Sequence, residues 1–143
     1  MTRQFHGVTS ISLVGVATLI ATVIVFRASW VLGVVYLLAS GAAVFTILYA
    51  YCAKCPCQAH CAHVLPGKAA IRFGRNPGPY SRVEIGAMLA ALVVILGFPQ
   101  AWLWQYPLWF GVYWVLSLIA FVQIRIVVCR ACANVYCPLR AAQ

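Results

Sequence analysis

Apolar residues in this chain come in four long runs, near 8–26, 30–50, 83–104 and 108–128, and polar residues gather between and after them. Each run can supply the ~20 helical residues that, at ~1.5 Å rise apiece, cross a hydrocarbon core about 30 Å thick. The pattern predicts four transmembrane helices. Only about three residues part the first run from the second and the third from the fourth, so each pair is expected as antiparallel neighbours. The expected fold is therefore all-α and integral to a membrane, with 1–143 as one transmembrane domain. Within it, a four-helix transmembrane bundle of two antiparallel hairpins carries a cytoplasmic cysteine-rich loop, 51–82, and tail, 129–143.

Composition agrees with the pattern. Hydrophobic residues make up 65% of the 143 and charged ones 8%, against roughly 25% charged in a soluble domain. The first run follows Arg3 and invites reading as a signal peptide. It exceeds the ~7–15 residues of a signal core, and Phe26-Arg27-Ala28 is a poor cleavage site, so a permanent helix is expected.

Charge sets the expected orientation. With four spans, the amino terminus, loop and tail share one side, with Arg3, Lys54, Lys68, Arg72, Arg75, Arg82, Arg130 and Arg140, and with Arg125 near enough to snorkel there. Arg27 stands alone on the other. The positive-inside rule puts both termini and every cysteine in the cytoplasm, in a multi-pass protein of the cell's inner (cytoplasmic) membrane. The net charge of +9 then reflects topology and anionic lipid headgroups. No nucleic acid partner is expected, because no base-reading module is present.

Several features have ordinary readings. Ser81-Arg-Val-Glu84 is a capping box opening the third helix, which accounts for the one acidic residue without a proton relay. Gly86, Ala87, Ala90 and Ala91 offer small-xxx-small packing on the third helix, and Gly33, Ser40 and Gly41 a slim face on the second. Trp30, Trp102, Trp104, Tyr106 and Trp109 form an interfacial belt, with a quinone or lipid site as the sharper alternative. Arg72-Phe-Gly-Arg75 reads as a solvated basic face, or else a seat for lipid phosphates or a partner. The loop has few large apolar residues, so its order is expected to depend on a bound metal.

The chemistry lies in two bursts of thiols, each starting where an apolar run ends. The first is Cys52-Ala-Lys-Cys55-Pro-Cys57-Gln-Ala-His-Cys61 and the second Cys129-Arg-Ala-Cys132-Ala-Asn-Val-Tyr-Cys137-Pro138. The matching layout suggests a duplicated plan. Clustered thiols in a reducing compartment mean metal ligation or redox chemistry more often than disulfides. Cys52, Cys55, Cys129 and Cys132 could form one four-thiolate site, leaving Cys57, Cys61 and Cys137 with His60, His63 or His6 as a further ligand. Two CxxC pairs suit zinc. The first burst with the later Cys-Pro is similar to ferredoxin spacing, C-x2-C-x2-C-x3-C-P, with the middle interval one residue short. Lys54, Arg125 and Arg130 are expected to offset thiolate charge and to lower thiol pKa values. Buried or acylated cysteines explain one or two thiols, not two matched CxxC pairs.

The leading expectation is a small membrane subunit with an iron–sulfur centre at the cytoplasmic face, passing electrons within or beside a larger membrane complex. Its partners would be the lipid bilayer, other subunits and a quinone. A second reading is a zinc-stapled assembly subunit, and a third a thiol-redox or soft-metal-handling protein. The four-helix layout is similar to that of quinone-linked disulfide generators and vitamin K epoxide reductases, but those act on the oxidising side. No nucleophile–base pair or phosphate loop is visible, which favours an electron-transfer or non-catalytic subunit.

Overall fold

The computed structural model describes residues 3–130 and 132–137. Pro138 and Arg140 lie outside the described residues, as does the rest of the tail beyond Cys137. The elements are α1 (Arg3–Ala28), α2 (Trp30–Ala50), α3 (Val64–Ile71), α4 (Arg82–Gly97), α5 (Gln100–Leu103) and α6 (Pro107–Gln123). A π-helical turn, Ile124–Cys129, continues α6. Four helical stretches are long and apolar enough to cross a membrane: Arg3–Ala28, Trp30–Lys54, Arg82–Leu103 and Pro107–Cys129. Among the described residues no strand occurs.

Local chemistry sets the helix ends. A single extended residue, Ser29, separates α1 from α2, and Gly33 lies directly under the Phe26 ring. Ser81 and Glu84 close the capping box expected from the sequence, Ser81 Oγ accepting from Glu84 N–H at 3.2 Å and Glu84 Oε2 from Ser81 N–H at 2.8 Å. Pro107 opens α6, where its missing N–H costs nothing.

Packing runs in stripes at helical spacing. Gly33, Tyr36, Ser40, Ala43 and Ala50 are buried along α2, and Met88, Ala91 and Ile95 along α4. The main helix contacts are α1 with α6, α2 with α4, and α1 with α2. The third and fourth spans thus lean mainly on the second and first. Two expected packing residues face outward: Gly41 and Gly86 are exposed, with open space where a Cβ would stand. The exterior is apolar, with Leu38 68%, Val93 68% and Leu108 74% exposed.

Pro99 explains a buried polar cluster. Ile95 C=O would ordinarily accept from the N–H four residues on, and proline has none. Two buried hydroxyls replace it, Tyr36 donating to Ile95 O at 2.9 Å and Tyr113 at 3.3 Å. Gln100 Nε2 likewise donates to Leu96 O at 2.6 Å, while its Oε1 accepts from Trp114 Nε1 at 3.2 Å. A buried carbonyl left unpaired would cost about 1–3 kcal/mol.

The long loop is tied down by protein contacts. Phe73 packs edge-on against Phe45 and Tyr49, and Arg75 stacks on Tyr49. Arg75 and Lys54 both pair with Glu84, at 2.7 and 3.0 Å. Tyr80 stacks on Tyr51 with ring centroids 4.6 Å apart. The expected basic face over Arg72–Arg75 is thus half structural: Arg72 is exposed, while Arg75 is engaged.

Candidate metal centre

Helix ends deliver the thiols. After Ala50 the chain tightens into a 3₁₀ turn, Cys52–Lys54, and Cys55 N–H donates to Cys52 O at 3.1 Å. At the other end the π-helical turn precedes the same closure, Cys132 N–H donating to Cys129 O at 3.1 Å. The two cysteines of each CxxC pair are thus joined across one turn by a backbone hydrogen bond. A π turn carries an extra residue and shifts the helical phase of the residues after it. Here it buries Val128 and leaves Arg125 and Ile126 outside.

Two glycines let the first burst dock. A Cβ on Gly7 would collide with Ala62 O, and one on Gly67 would stand 2.8 Å from Gln58 O and 2.9 Å from Cys61 Cβ. Only hydrogen fits at either place. His63 is fixed in the same contact, its Nδ1 lying 3.0 Å from Gly7 O. Since a carbonyl only accepts, Nδ1 carries the proton and Nε2 keeps its lone pair, the tautomer a metal-binding histidine needs.

All seven cysteines line one cavity of about 130 Å³. That is several times the roughly 30 Å³ of one water in the liquid. Arg3, Tyr51, His63 and Asn134 share the lining. Every cysteine is a free thiol of intermediate exposure. Thiols of both bursts meet in the cavity, Cys57 and Cys132 among them. Cys52, Cys55, Cys129 and Cys132 share it with Cys57, Cys61 and Cys137. Among the described residues, no three histidine, cysteine or acidic side chains stand ready-formed around a metal position. His60 is exposed, and neither it nor His6 lines the cavity.

Electrostatics corrects one expectation. Burial, rather than neighbouring bases, dominates the thiols, raising Cys55 and Cys61 above the ordinary thiol range. Cys57 is pushed up to about 11, by burial first and then by Cys132 and Cys55. Crowded, desolvated thiols resist ionising together unless a cation joins them. Burial also lowers the pKa of His63, which keeps the ring neutral. Lys54, expected to offset thiolate charge, is committed to Glu84 and to Pro79 O at 2.9 Å.

Asn134, Tyr51 and Tyr80 belong to the site without having been singled out for it in the sequence. Buried Asn134 donates from Nδ2 to Cys55 Sγ at 3.4 Å and to Tyr80 OH at 3.1 Å, while its Oδ1 accepts from Tyr136 N–H at 2.9 Å. Tyr51 OH stands 2.8 Å from Cys137 Sγ. The only signal was position, Asn134 lying between the last two cysteines of the second burst.

A larger groove of about 310 Å³ lies between α1 and the start of α6, walled by Leu19, Ile20 and Val23 with Arg27, Tyr106 and Trp109. It contains no thiol. Comparison with family models, characterised proteins and solved structures gives no match, so the site's meaning rests on its own chemistry.

Proposed function

We propose that this chain is a small membrane subunit that holds an iron–sulfur centre among its seven cysteines and relays single electrons. The observation that carries the reading is the convergence of all seven thiols, from two bursts far apart in the sequence, on one cavity. A lone zinc ion needs four ligands in a tight tetrahedron. Seven thiols around about 130 Å³ offer more donors and more room than that. Iron–sulfur centres use closely spaced thiolates and are tuned by hydrogen bonds to sulfur, as Asn134 would provide at Cys55.

In this reading the four long helices insert as two antiparallel hairpins, with the lipid bilayer around their apolar exterior. Both termini and the thiol cavity face the cytoplasm, as the Arg and Lys asymmetry favours. Held by these cysteines, an iron–sulfur centre would supply one-electron chemistry between a cytoplasmic donor and an acceptor in the surrounding membrane complex or a quinone. This chain's residues supply the ligands, exclude water and fix the distance from the lipid.

The test is anaerobic purification in detergent. A brown protein is expected, with broad visible absorption, iron and acid-labile sulfide in equal amounts, and bleaching by a chemical reductant. A colourless protein with stoichiometric zinc would replace this reading with the structural one. A protein with no bound metal would overturn both.

A further inference from the structure

Among the described residues, Arg3 is the Lys or Arg that lines the thiol cavity. Its Nε is buried without a hydrogen-bond partner among the described residues, and its Nη2 donates to Val128 O at a long 3.4 Å. A buried charged donor in that state is costly, and the usual remedy is a carboxylate. The chain has a single acidic residue. That residue, Glu84, is held by Lys54 and Arg75. No side-chain carboxylate remains for Arg3.

Four thiolates around zinc, or around a four-iron, four-sulfide core in its oxidised state, leave a net negative unit. In a desolvated cavity such a unit needs a fixed positive partner. We infer that Arg3 is that partner: the cavity is built for an anionic thiolate–metal unit, and Arg3 is the positioning charge that retains it and raises its reduction potential. The placement suits both bursts, because Arg3 lines the cavity together with Cys61 from the first and Cys129 from the second. Lys54 is taken by Glu84, and Arg130 is exposed. Reduction adds one electron and makes the unit more negative, so a nearby cation favours the reduced form.

This inference rests on thiolate ligation, though not on the identity of the metal. The experiment uses the full chain in detergent, with wild type beside Arg3→Gln, Arg3→Lys and Lys54→Gln. Metal retained against a chelator is measured in each, and midpoint potential where the centre is redox-active. Arg3→Gln should lose metal more readily by roughly 10–100-fold, the scale of outer-sphere changes, and have a lower potential. Arg3→Lys should stay near wild type, and Lys54→Gln should not move the potential. Wild-type retention and potential in Arg3→Gln would overturn the inference while leaving the proposed function standing.

Should Arg3→Gln fail to accumulate, Arg3→His supplies a titratable charge at the same place. Its potential or metal retention should vary more steeply between acid and neutral pH than that of wild type. An identical pH profile would overturn the inference. A wild-type protein without metal would overturn both this and the proposed function.

Discussion

Asn134 shows what single residues add to the thiols. Its amide joins Cys55 to Tyr80 and to the backbone of the second burst, so it both donates to a sulfur and holds the tail in place. Asn134→Ala should lower the potential of the centre and loosen metal binding by roughly 10–100-fold; a redox titration with chelator competition checks both. Protonation gives a second prediction. Cys55, Cys57 and Cys61 have raised pKa values, so ligation must expel protons. Apparent metal affinity should climb with pH through the neutral range, with proton release detectable in weak buffer. In the reduced, metal-free protein the sign reverses for stability. A thiol raised from 9.0 to about 11, as Cys57 is, contributes stability fully present below pH 9 and lost as pH rises through 11. Denaturant titrations at intervals across that window should show the decline, and the metal-loaded protein should not share it. The cysteines were legible in the sequence because their spacing is a pattern. Arg3, Asn134 and Tyr80 were not legible as parts of the site, because their roles come from contacts with distant segments: Asn134 meets a thiol 79 positions away.

At the scale of elements, the four spans were plain in the hydropathy pattern, and the cap at Ser81 and Glu84 in four residues. The break after α4 was not, because Pro99 alone does not say what replaces its missing N–H. Tyr36 and Tyr113 both donate to the freed carbonyl, so removing either hydroxyl should cost about 0.5–1.5 kcal/mol. Removing both should cost more than the sum, because Ile95 O is then orphaned. Pro99→Ala restores an N–H and should make the double change better tolerated; thermal unfolding in detergent across the full cycle measures the coupling. Gly7 supplies the other element-scale prediction. A Cβ there collides with Ala62, so Gly7→Ala should push the first burst off α1 and reduce metal content while the long helices keep their circular dichroism. The π turn before Cys129 was equally hidden, since it changes the phase of the helix without changing the apolar pattern.

For the whole molecule, the contacts of Phe73, Arg75 and Tyr80 revise how the loop is held. Stripping the metal should expose 52–63 to protease, whereas 71–84 should stay protected by its aromatic and ion-pair contacts. Cleavage mapping by mass spectrometry distinguishes this from collapse of the entire loop. The account's central claim is that thiols from the two bursts, far apart in the sequence, hold one centre together. Metal content per chain in wild type, Cys55→Ser, Cys132→Ser and the double variant tests that most directly. The account predicts that each single change loses most of the same metal and that the double change adds little, because all seven thiols line one cavity. Separate, additive losses, with one burst keeping its metal after the other is broken, would contradict it.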